Sequence, residues 1–280
     1  MFGLVIALCT PVAWAGTNDI TLSGMTEHGG QPVSEDLSDD YLQLVRELGT
    51  VVANRSAYPA ATLGSAGFSL AFQNAWTFTD LGAEAGVPTP WERATGDERV
   101  APFLAQPGFT ARKGFPFSLE AGVSASWIGG TRQGTFGGFG RLGIVEGSKP
   151  WPDLSVHLGY SGFVGNDELE LAVLDAGATL GAELPFGSVE GFNNATFSPW
   201  FDYSLLRIQA FPVLSDEVAD AVGAVPVSGR KSDDGFRPQM LVHRLTGGVQ
   251  ITNGTVTLRI FGHWSPKATA GFSLAMGFDY

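Results

Sequence analysis

The side chains in this sequence that could do chemistry are Gln73, Glu120, Arg141, His157, Asp175, Asp202, Arg244, Arg259 and His263, set among glycine, serine and alanine. Their spacing suggests pairs. A hairpin turning near Gly130-Thr131 would set Glu120 opposite Arg141, and one turning at Asn253-Gly254 would set Arg244 opposite His263, with Arg259 farther down. Opposite charges in an interior hold one another, because an unpaired buried charge is strongly destabilising. The same groups facing a passage would make a polar constriction or a binding site for a small solute. Catalysis would need Asp/His or Ser/His neighbours, and His157 and His243 stand isolated in the sequence. No GxSxG, HExxH or phosphate-binding loop occurs. The expectation is a protein that is not an enzyme, with no catalytic, cofactor-binding or metal residues.

The elements that must position these groups are strands. From Ala66 the chain alternates: Phe68, Leu70, Phe72, Trp76 and Phe78 on one face, Ser69, Ala71, Gln73, Ala75 and Thr77 on the other. Phe109 to Lys113 reads as a short strand, and Phe117 to Trp127 as a long one. A returning strand through Arg141 follows, and another through His157. In the run from Glu168 to Glu183 apolar residues at 169, 171 and 173 give way to Leu174, Ala176 and Leu180, a phase switch that predicts a β-bulge near Val173. Three further strands cover Phe197 to Ala210, Leu241 to Ile251 and Val256 to Trp264. The last runs from Ala268 to Tyr280, about thirteen residues and roughly twice the usual length. At about 3.3 Å per residue it spans on the order of 43 Å.

That terminal run, with alternating apolar residues and an aromatic end at Phe278 and Tyr280, resembles the assembly signal of Gram-negative outer-membrane β-barrel proteins as a class. The resemblance implies an outer-membrane location, reached by secretion through the periplasm. It also implies outer-membrane lipid and the barrel-assembly machinery as partners. The residues themselves point to an antiparallel up-and-down transmembrane β-barrel of about 10 strands, within a range of 8–12. A secreted β-sandwich, a binding module, is the competing architecture. Its solvent face should carry large charged side chains, whereas the non-apolar face here is mostly Gly, Ser, Ala and Thr.

Composition agrees. The net charge of −12 and the lack of a Lys/Arg run argue against nucleic acid as a partner. Only 16% of residues are charged, against a usual ~25%. No window of ~20 apolar residues follows the N-terminus, which excludes a helical membrane protein. The first segment, residues 1–15, reads as a secretory signal peptide, with an apolar core from Phe2 to Ala7 and Ala13-Trp14-Ala15 before Gly16. Its removal takes away Cys9, the only cysteine, and with it any disulfide.

Residues 16–65 form a separate N-terminal segment ahead of a barrel over residues 66–280. Ser38, Asp39 and Asp40 offer N-caps for a short amphipathic helix through Tyr41, Leu42, Leu44, Val45 and Leu48. The segment is either a periplasmic lead-in or a plug, and docking at the periplasmic mouth is the expected arrangement. Two long acidic loops, Asp80 to about Pro107 and Phe211 to about Phe236, fall on the side opposite the tight Asn253-Gly254 turn. The function expected is a small or plugged channel or transporter for small or hydrophobic solutes. The alternative is a structural or surface-interaction barrel whose long loops bind a partner.

Overall fold

The computed structural model describes residues 19–28, 31–32, 36–54, 58–80, 87–95, 103–147, 152–185, 195–229, 231–232, 235–236 and 238–280. The expected signal peptide, residues 1–15, lies outside them. Alternation resolves into ten long strands: β1 (Phe68–Phe78), β2 (Phe103–Phe115), β3 (Leu119–Trp127), β4 (Gly134–Val145), β5 (Asp153–Val164), β6 (Leu169–Gly181), β7 (Ala195–Pro212), β8 (Met240–Asn253), β9 (Val256–Trp264) and β10 (Ala270–Asp279). Each pairs antiparallel with the next, and β10 returns to pair with β1. The sheet is a closed up-and-down barrel, which rules out the sandwich. Closure ends on the last residue: Tyr280 N–H donates to the Phe68 carbonyl, and Phe68 N–H to that of Tyr280, both at 2.8 Å.

The barrel is inside-out relative to a water-soluble protein. Leu70, Phe72, Phe109, Val123, Leu158, Ile260, Leu274 and Met276 all project outward and are 43–60% exposed. Alternate residues face a lumen in which Ser69, Arg112, Glu120, Asp175 and Asp202 are buried. A largely apolar exterior, interrupted at Asn74 and His243, on a barrel without edges is the arrangement that hydrocarbon demands. Aromatic side chains mark both rims, with Trp127 and Trp264 at one and Phe278 and Tyr280 at the other. This is a transmembrane barrel of the Gram-negative outer-membrane type. A closed barrel held by strand ladders should resist SDS until heated, so unheated and boiled samples should migrate differently. A chain soluble without detergent and lacking that shift would contradict the assignment.

Three strand expectations need correction. β2 is longer than Phe109 to Lys113. It takes in Phe103 to Pro107, which pair with Asn74 to Phe78, although Pro107 and Gly108 disguise it as loop. β6 has no bulge: its burial alternates from end to end, and its register with β5 and β7 is unbroken. Leu169, Leu171 and Val173 therefore face the lumen, and Leu174 faces outward. β10 starts at Ala270, because a turn at Ser265 uses Ala268 N–H and the Thr269 carbonyl in hydrogen bonds.

The two rims differ. One carries the connection after β1, with a short helix α1 (Pro90–Ala94), and the connection after β7, with α2 (Asp216–Val222). The other carries the tight turns at Pro116–Ser118 and Asn253–Gly254, together with the start of β1 and the end of β10. By the usual asymmetry of such barrels the first rim faces outward and the second faces the periplasm.

Helix α0 of the N-terminal segment (Ser38–Val52) lies inside the barrel, in its outer half. The expectation that it would dock at the periplasmic mouth is therefore corrected. Its apolar face, through Tyr41, Leu44, Val45, Leu48, Val51 and Val52, packs with Leu171 and Val173 of β6, Leu206 and Ile208 of β7 and Val242 of β8. The physical reason is that this part of the wall is apolar and not lined by Gly and Ser. Each side chain so buried contributes about 1.5–3 kcal/mol, enough to hold a helix that would be marginal alone. The expected side-chain cap is absent. Leu37 occupies the N-cap position, Ser38 bonds to Asp36 instead, and Asp39 and Asp40 lie in the first turn, where the helix dipole favours them.

Candidate functional site

From the last turn of α0 onward, the described residues of the N-terminal segment lie along the lumen towards the periplasmic rim. Its backbone amides and carbonyls have no sheet to join, and wall side chains supply the missing partners. Gln106 Nε2 donates to the Val51 carbonyl at 3.1 Å, and Arg244 Nη2 to that of Asn54 at 3.0 Å. Arg141 Nη2 donates to the Pro59 carbonyl at 2.6 Å. Lower down, Leu63 N–H donates to Glu120 Oε2 at 3.2 Å, and Thr62 N–H donates to Glu146. The lumen side chains therefore form a socket for an irregular strand of chain.

Two ion networks build that socket. In the periplasmic half Glu120 is buried between two guanidinium groups: Arg112 Nη1 lies 3.2 Å and Arg141 Nη1 3.3 Å from its Oε1. Strands β3 and β4 set Glu120 directly opposite Arg141, as the hairpin spacing predicts. Arg112 also donates to Ser69, and Arg141 to Ser155. Tyr58 of the threaded segment lies among these cations. The Arg112 and Arg259 guanidinium carbons lie 3.9 and 4.0 Å from its ring centroid, and Phe139 stacks on it at 5.8 Å. Such contacts are worth about 2 kcal/mol or more each when desolvated.

The second network sits nearer mid-barrel. Arg244 Nη2 is 2.6 Å from Asp175 Oδ2, and His157 lies between Asp175 at 3.3 Å and Asp202 at 3.5 Å. Asp202 accepts further bonds from Thr179 at 2.8 Å and Ser204 at 2.6 Å. His157 is thus not isolated, as the sequence suggested: β5, β6 and β7 bring it between two carboxylates. It is also sealed in, since a Cβ at Gly177 would come within 2.7 Å of its Cε1. Arg244 does not face His263. The register of β8 with β9 pairs His263 with Thr246, two residues on, and Arg244 lies opposite Ser204 of β7.

Gln73 and Gln106 line a void of about 30 Å³ beside residues Val51–Asn54, room for about two waters. At the outer rim Glu47 of α0, wholly buried, accepts bonds from Trp91 Nε1 at 2.6 Å and Asp80 N–H at 3.1 Å. Burial, with the nearby Glu47 carboxylate next in importance, pushes the Asp80 carboxyl up to about 7. Arg112, Tyr58, Asn54, Glu146 and Glu47 were missed in the sequence. Extending the alternation of β2 back through Gly108 would have placed Arg112 in the lumen. Nothing local marked Tyr58, which reads only as part of a turn before Pro59.

No protein-family model and no curated protein sequence matches this chain. Among solved structures it is similar to the translocator domain of the autotransporter NalP from Neisseria meningitidis, with a TM-score of 0.38 and 12% identity over 89% of this chain and 99% of that one. It is similar also to LpxR from Salmonella typhimurium, with a TM-score of 0.37 and 10% identity over 75% and 99%. A third is Ail, the attachment invasion locus protein of Yersinia pestis, with a TM-score of 0.28 and 10% identity over 77% and 99%. No residue role is carried over from these chains, and the barrel rests on its own closed strand order.

Proposed function

We propose that this protein is an outer-membrane channel for small solutes, held shut by its own N-terminal segment. The observation that supports this reading is the occupancy of the lumen. The apolar face of α0 fills the outer half, and Asn54, Pro59 and Leu63 are bonded to wall charges in the inner half. In this reading Glu120, Arg141, Asp175 and Arg244 hold the plug in the closed state and line the passage once it has moved.

Deleting residues 19–60, with the leader retained, tests this directly. The shortened chain should still show the heat-dependent gel shift, because no strand of the barrel is removed. Its single-channel conductance in planar bilayers should be well above that of the full chain. Equal conductance from two correctly folded barrels would count against the channel, leaving the segment as a permanent filler of a structural barrel.

A further inference from the structure

We infer that the barrel carries its own N-terminal segment across the membrane and presents it at the outer surface. The inference rests on the outer-membrane reading of the barrel but not on whether the plug ever opens. The chain at Asp19 to Ser23 is tied to the outward rim. Arg132 N–H donates to Asp19 at 2.7 Å, Gln133 bonds both the amide and the carbonyl of Ile20, and Asn166 donates to the same carbonyl at 2.7 Å. Ser23 N–H reaches Glu168 at 2.8 Å, and Thr21 N–H the Ala94 carbonyl at 2.8 Å. These partners belong to the connections after β1, β3 and β5, all on the rim of the two long loops.

From that rim the path runs one way. Tyr41, near the start of α0, donates to the Val225 carbonyl in the loop after β7. Asn54 meets Arg244 at mid-barrel, Leu63 meets Glu120 lower down, and Gly114 N–H donates to the Gly67 carbonyl where β1 begins at the periplasmic rim. A plug whose N-terminal end stayed in the periplasm would have to cross the lumen twice, up and back, because β1 starts from the periplasmic side. Between Asp19 and Phe68 the described residues cross it once. Long loops facing outward therefore put Asp19 outside and Phe68 and Tyr280 inside. A secreted chain reaches the outer membrane from the periplasm. The segment must therefore pass through the lumen, or be enclosed as the strands close around it, and whatever chain precedes Asp19 goes with it.

The test uses the full chain in cells, with Cys9→Ser as background and one new cysteine at a time. Ala221→Cys, on the exposed helix α2, reports the outer face, and Ser65→Cys, exposed beside β1, reports the periplasmic face. Asp19→Cys replaces a side chain that is 24% exposed. A membrane-impermeant maleimide on intact cells should label Ala221→Cys and Asp19→Cys, and should reach Ser65→Cys only after the outer membrane is permeabilised. Asp19→Cys labelled only after permeabilisation, with Ala221→Cys labelled on intact cells, would overturn the inference and leave the barrel standing. Failure of Ala221→Cys itself on intact cells would overturn both. A short epitope inserted ahead of Asp19, in a chain that keeps its heat-dependent gel shift, supplies a second readout. Antibody binding to intact cells supports surface presentation, and binding only to permeabilised cells refutes it.

Discussion

Gly49→Val is expected to weaken the hold of α0 on the lumen and raise the fraction of time the barrel is open, while leaving the strands intact. A Cβ at Gly49 would stand 2.3, 2.7 and 2.9 Å from three side-chain atoms of Ile208 on β7. Ile208 is β-branched and stiff at χ1, and both its branches are involved, so rotating one methyl does not relieve the clash. Overpacking of this kind typically destabilises by about 1–3 kcal/mol, comparable to losing the burial of one of the apolar side chains that hold the plug. Intrinsic propensity works the other way, since Val is a better helix former than Gly by a few tenths of a kcal/mol. A loss of packing would therefore be a contact effect and not a helix effect. Planar-bilayer conductance should rise towards that of the plug-deleted chain, with the gel shift preserved. Ile208→Ala in the same chain should restore closure by making room. A Gly49→Val barrel that stays as closed as wild type would show that the helix–wall contact does not hold the plug.

Glu120→Ala should be among the most damaging single changes in the wall. It leaves Arg112 and Arg141 facing each other in a buried site and removes the acceptor for Leu63 N–H. Breaking a buried ion pair by removing one partner typically costs about 3–5 kcal/mol. The urea midpoint for unfolding of the detergent-folded barrel is the measurement. Arg132→Ala offers the contrast: its pair with Asp19 is 3.6 Å long and the arginine is 71% exposed, so under ~1 kcal/mol is expected. If the two variants unfold at the same urea concentration, the Glu120 network does not stabilise the barrel. Removing Arg141 together with Glu120 should recover part of the loss, because the stranded charge goes with its partner.

The barrel was legible in the sequence because period-two alternation depends only on which face each side chain meets. Phe68 to Phe78 and Val256 to Trp264 declare their two environments by alternation, with Asn74 outward and Phe261 inward as the exceptions. Adjacent strands joined by a hairpin also have a readable register, so Glu120 against Arg141 followed from the loop between them. Wherever a contact needed a third element, the sequence could not supply it. Leu169, Leu171 and Val173 looked like a change of phase because an apolar lumen was not expected. They face inward in regular alternation because α0 lies there to cover them. His157 looked alone because Asp175 and Asp202 come from the next two strands, and the three side chains meet only across the curved wall. Tyr58 gave no signal, since its partners Arg112 and Arg259 belong to strands that become near neighbours only when β10 closes on β1. The amphipathic face of α0 established that the helix must bury itself. Where it does so depended on the tertiary structure, because only closure of the barrel assembles the apolar half-lumen that receives it.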